Sequence, residues 1–165
     1  MLTDLTFEDS LSRICDPRVI FNETLVPSVC GKNPNSNYRS GYDWLFTYER
    51  ILASVLEPWT AHLRFELIGE KGVLCEALSN AFCHGHKKDP AKPIDLSIFL
   101  GENGLIVRVK DSGSGFDILQ VKEQFTQGKA YFHLAGNGLK RMIQSPHFHI
   151  FFTDEGSGFN LMYLF

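Results

Sequence analysis

Two strand-like runs, Ile94 to Leu100 and Leu105 to Lys110, are joined by Gly-Glu-Asn-Gly, and this pair constrains the fold more than any other feature of the chain. Asn103-Gly104 readily takes the backbone angles of a tight hairpin turn, so the two runs are expected to pair antiparallel. Upstream, Leu45, Tyr48, Leu52, Val55 and Leu56 recur at helical spacing, predicting a helix over 42–57 that Pro58 stops. A second helix is expected over 65–84, with Leu74, Ala77, Leu78 and Ala81 as its buried stripe. Gly69 and Gly72 weaken its first turns, and Gly85 is a natural stop. Downstream, residues 138–144 read as a short helix closed by Ser145-Pro146. The runs 147–153 and 159–165 form a last hairpin around residues 154–158. Residues 117–135 have no clean period and read as a loop with a short helical piece. Near the start, Val19 to Phe21 and Leu25-Val26 indicate a strand, or two, before an Asn-, Pro- and Ser-rich loop over 31–37.

Runs of strands beside runs of helices indicate an α+β fold, one sheet with helices on one face. The length of 165 residues fits a single domain, and 44% hydrophobic with 21% charged residues is enough for a packed core. The net charge of −3 carries no basic footprint for nucleic acid. No apolar stretch is long enough to span a bilayer. The opening residues MLTDLTFEDS lack the basic and apolar regions of a secretory signal. None of the four cysteines forms a Cys-x-x-Cys pair, and reduced thiols in a cytoplasmic protein are expected.

Three short motifs carry chemistry. In Glu76-Ala-Leu-Ser-Asn80-Ala-Phe-Cys-His-Gly85, Glu76 and Asn80 are one helical turn apart and share a face with Cys83, roughly opposite the apolar stripe. An Asn amide oxygen there suits Mg²⁺, which keeps only one or two protein ligands beside phosphates and waters. A carboxylate one turn away suits a general base. Asp111-Ser-Gly113-Ser-Gly115-Phe116-Asp117 follows a strand directly. A carboxylate at a strand end can accept from an exocyclic amine such as that of adenine, and the glycines allow close backbone approach. Gly136-Asn137-Gly138-Leu139 opens a helix, where free amides bind phosphate. Taken singly, the three are as well explained by a solvated helix face, a glycine-rich turn and an ordinary loop-to-helix junction.

In this order and company, the motifs resemble those of the ATP-binding domain shared by gyrase, the heat-shock chaperone ATPase, histidine kinases and mismatch-repair proteins. Within that group the chain is most similar to the stand-alone anti-sigma-factor serine kinases of bacteria. The resemblance covers roughly residues 40–165, with residues 1–40 matched loosely. It implies a two-layer histidine-kinase-like ATPase fold with a mixed, mostly antiparallel sheet. It implies Mg²⁺ on Asn80, with Glu76 as the catalytic base. Asp111 would recognise adenine, in a pocket shaped by Gly113 and Gly115. His84, Phe116, Gly136, Asn137, Gly138 and Leu139 would complete the nucleotide contacts, under an ATP lid over 117–135. The implied partners are an anti-anti-sigma-type protein phosphorylated on serine, a sigma factor, and a second copy in a homodimer.

The chain departs from that pattern in two places. Leu134 and Ala135 stand where such kinases often carry an arginine, and the last hairpin has Gly156-Ser157-Gly158 in place of Gly-Thr, leaving Ser157 or Asn160 as stand-ins. His84, His86 and Cys83 form an incomplete zinc set. Two alternatives accompany the kinase reading: a phosphotransfer domain closer to histidine kinases, and a nucleotide-dependent partner-binding module with little or no kinase activity.

Overall fold

The computed structural model describes residues 2–27, 43–68, 72–115, 117–120, 123 and 146–165. Phe116, the second glycine motif at 136–139, the helix expected over 138–144 and most of the expected lid lie outside the described residues. The chain begins with α1 (Phe7–Ile14) and β1 (Arg18–Leu25). The helical layer follows: α2 (Asp43–Thr60), a 3-10 turn (Ala61–Leu63), α3 (Arg64–Leu67), α4 (Val73–Asn80) and a π turn (Ala81–Gly85). Strands β2 (Ile94–Leu100), β3 (Gly104–Asp111), β4 (His149–Thr153) and β5 (Gly158–Leu164) complete the sheet.

The described strands form one antiparallel sheet in the order β1-β2-β3-β5-β4. A parallel bridge between Leu2 and Ile150 adds the mixed element at the β4 edge. Side chains alternate across a strand, so Ile94, Leu96, Ile98 and Leu100 of β2 face the same core as Leu105, Val107 and Val109 of β3, all buried. Against them pack Leu52 and Leu56 of α2 and Leu74, Ala77 and Leu78 of α4, as their helical spacing requires. The fold is thus the expected α+β sandwich, with one addition. Helix α1 covers part of the opposite face, where Ile14 is buried with Ile106, Phe151 and Met162. A reciprocal cap between Thr6 and Asp9 starts that helix.

The helical layer differs from its expected form in two places. Pro58 does not stop α2, which continues to Thr60. A proline removes one intrahelical bond, to the carbonyl four residues earlier, and both Pro58 and Ser54 are exposed, so that carbonyl can be hydrated. The helix expected over 65–84 is broken. Ile68 is extended after α3 (φ −119°, ψ 161°), and Gly72 lies on the Leu67–Ile68 backbone so closely that a Cβ would come within 2.5 Å of the Leu67 carbonyl oxygen. Helix α4 starts only after Gly72. Near the start, the strand expected over 19–26 is present as β1, one strand and not two.

Candidate nucleotide site

The π turn sets the geometry. His86 N donates to Ala81 O over 2.9 Å, and Lys88 N to Phe82 O over 2.9 Å, so the helix widens as it ends. It packs Cys83 partly on the core. It also brings Gly85 against the end of β3. A Cβ on Gly85 would occupy the space of the Asp111 carboxylate, within 2.5 Å of Oδ2. Gly85 is needed for space here. A Cβ on Gly113 would in turn collide with the Gly85 carbonyl. Gly115 has φ +68°, and a Cβ there would press on the Glu155 carbonyl.

Asp111 is held on both sides. Its N–H donates to Ser157 O over 3.0 Å, and its Oδ1 accepts from Gly113 N over 2.7 Å. Among the described residues Oδ2 has no hydrogen-bond donor. Burial raises the carboxyl above its usual range, and the Gly113 bond, His86 and Lys92 pull the other way. Behind the loop, the buried His86 ring accepts from Ser112 N at Nε2 over 3.1 Å, which requires the neutral ring. Its pKa is lowered, first by burial and then by Lys92, against the raising effects of Asp111, Asp89 and the Pro93 backbone.

A cavity of about 210 Å³ opens between these elements. Ala77, Asn80, Ala81, His84 and Gly85 line it from the helical side, and Val109, Asp111, Phe152 and Phe159 from the sheet. Gly115, Gly156 and Ser157 complete the lining. His84 is mostly exposed, and partial desolvation and then Lys88 lower its pKa. Of the expected contacts, Asn80, His84, Asp111 and Gly115 are brought together. Gly113 stands beside them without lining the cavity. Glu76 lies one turn before Asn80 on α4, outside the lining. Phe116, Gly136, Asn137, Gly138 and Leu139 lie outside the described residues.

Ser157, not Asn160, borders the cavity. Its hydroxyl donates to Asp154 O over 2.8 Å, while Asn160 is fully buried and donates to Thr153 Oγ1 over 3.1 Å. The walls Val109, Phe152 and Phe159, the spacing role of Gly85 and the anchor His86 escape motif reasoning. One signal was available. Gly-Ser-Gly-Phe occurs at 113–116 and at 156–159, and the two Gly-Ser-Gly segments meet at the cavity, Gly115 against Glu155 and Ser157.

The cavity walls are mostly apolar, and the half-buried Asp111 carboxylate leaves Oδ2 able to accept a hydrogen bond. A family model described as the histidine kinase-like ATPase domain matches residues 49–142, more than half of the chain. The chain belongs to the histidine kinase-like ATPase family. It is an ATP-binding domain. The family match spans α4, the Asp111 loop and the second glycine motif; β4, β5 and the turn between them lie beyond it. No curated protein matches the chain. Among the described residues no three His, Cys, Asp or Glu side chains are grouped to hold a metal ion. A cation on Asn80 in this ATPase domain would therefore need phosphate and water oxygens to complete its shell. Among the described residues, Cys15, Cys75 and Cys83 are in no disulfide, and no helix is long and apolar enough to cross a membrane.

Proposed function

We propose that the chain is a cytoplasmic Mg–ATP-dependent serine kinase that acts on an anti-anti-sigma-type regulatory protein, binds a sigma factor and works as a homodimer. The observation that carries this is the position of Asn80 in the wall of the adenine-sized cavity, with Glu76 one turn earlier on the same helix. Phosphoryl transfer asks mainly for positioning and charge neutralisation. Asp111 fixes the base, and the Asn80 amide oxygen holds the cation that shields the phosphates. Glu76 accepts the proton of the incoming serine hydroxyl as its oxygen bonds to the γ-phosphorus and the bond to the ADP oxygen breaks. Gly136, Asn137 and Gly138 would supply amides to the phosphates, and His84, Phe116 and Leu139 would border the nucleotide.

One observation favours the partner-binding module instead: Glu76 stands outside the cavity lining. A single experiment separates the two. The protein is incubated with labelled Mg–ATP and an anti-anti-sigma protein encoded in the same genome. Serine phosphorylation is expected, and Glu76→Gln or Asn80→Ala should abolish it. ATP binding with no transfer to any such partner would replace the kinase with the module.

A further inference from the structure

The turn between β4 and β5 is strained and tied to the far side of the sheet. Asp154 and Glu155 have φ of 52° and 54°. Non-glycine residues keep such angles only where their surroundings over-determine them. Here the surroundings are the Asp154 side chain's own partners. Its Oδ2 accepts from Arg108 Nη2 over 2.5 Å and from Thr153 Oγ1 over 2.8 Å, and its Oδ1 from Lys110 Nζ over 2.9 Å. Arg108 and Lys110 alternate along β3 with the buried Val107 and Val109, so they project from the face away from the cavity.

The backbone of the same turn reaches the cavity. Asp154 O accepts from Ser157 N over 3.1 Å and from Ser157 Oγ over 2.8 Å. Ser157 O accepts from Asp111 N. The Glu155 carbonyl lies against Gly115, and Gly156 and Ser157 line the cavity.

We propose that Asp154 is a positioning residue for the nucleotide site: clamped by Arg108 and Lys110 on the opposite face of the sheet, its carboxylate holds the left-handed turn that supplies the Gly156–Ser157 wall. This rests on the adenine-binding reading of the cavity. Burial alone would raise the Asp154 carboxyl, but bonds from Lys110, Thr153 and Arg108 bring it down to about 2, so the clamp stays charged throughout the working pH range.

The test uses the full chain, with calorimetric titration of ATP and of uncharged adenosine. Removing a negative charge near a polyanion would by itself tighten ATP binding. Losing the clamp does the opposite, and adenosine reports it free of that effect. Asp154→Ala is expected to weaken adenosine binding on the order of tenfold, as for other contacting residues in one network. Preference for adenosine over guanosine should narrow as well, which a smaller folded fraction would not cause. Asp154→Gly, which takes positive φ without strain, should recover part of the loss. An unchanged adenosine Kd in folded Asp154→Ala overturns the proposal, as does tighter ATP binding with adenosine unaltered. Should Asp154→Ala fail to fold, Lys110→Met at a half-exposed position decides: weaker adenosine binding supports the clamp, and an unchanged Kd overturns it. Wild-type protein that binds neither ligand would instead overturn the adenine reading, and the clamp's role with it.

Discussion

Replacing Asp111 by Asn separates what this residue does for the fold from what it does for the ligand. Burial raises the Asp111 carboxyl above its unfolded value. A carboxyl shifted upward destabilises the folded state as pH rises through and beyond the unfolded value, because the unfolded chain releases its proton first. At pH 7 the carboxylate is therefore a net electrostatic liability, and Asn, which is neutral, removes it. The Asn side chain keeps an oxygen for Gly113 N, whose bond to Oδ1 is 2.7 Å. Stability of Asp111→Asn at pH 7 should thus equal or exceed that of the wild type. Ligand binding moves the other way. A hydrogen bond to a charged acceptor contributes about 1.5–3 kcal/mol, which is roughly a ten- to hundredfold loss in adenine affinity at about 1.4 kcal/mol per factor of ten. Paired thermal denaturation and calorimetric titration with ATP and adenosine check both signs. Unchanged affinity would refute the adenine contact, and a clear drop in melting temperature would refute the electrostatic argument.

Gly85→Ala should cost about 1–3 kcal/mol of stability through overpacking and weaken adenine binding, because the methyl displaces the Asp111 carboxylate. Gly101→Ala, whose Cβ would press on the Ile14 carbonyl far from the cavity, should destabilise with affinity retained, and equal Kd values for both variants would contradict the assignment. The folded-state pKa of His86 lies below its unfolded value, so its contribution to stability is full above about pH 6.5 and is lost as pH falls toward the folded value. Melting curves from pH 8 to 5 should show this decline, and His86→Gln should flatten it.

Much of this fold can be read from local pattern. The Asn103-Gly104 hairpin and the stripe Leu74, Ala77, Leu78 and Ala81 depend on nearest neighbours and on periodicity, and both are realised. What local pattern misses is set by contacts distant in sequence. Gly85 reads as a helix stop, because nothing near it shows that Asp111 will occupy the space a side chain would need. Pro58 reads as a terminator, because its tolerance depends on exposure. Helix α1 escapes detection because its apolar face meets Ile106 and Met162, known only once the sheet is assembled. For the site, the motifs supply the polar groups, whereas Phe152 and Phe159 look like ordinary strand residues until β4 and β5 fold beside β3.

The bond from Asp111 N to Ser157 O has a consequence for how the molecule is made. The cavity is bounded by segments near residues 77–85, 109–115 and 152–159, so it comes into being only when the last hairpin has docked on the middle of the sheet. That pairing closes a long loop and is entropically among the later steps of assembly. A chain still emerging during synthesis lacks the ligand-binding surface however well its helices have formed. A ligand specific to the finished cavity stabilises the native state alone, by mass action. A saturating nucleotide concentration should then favour molecules in which β4 and β5 are in register.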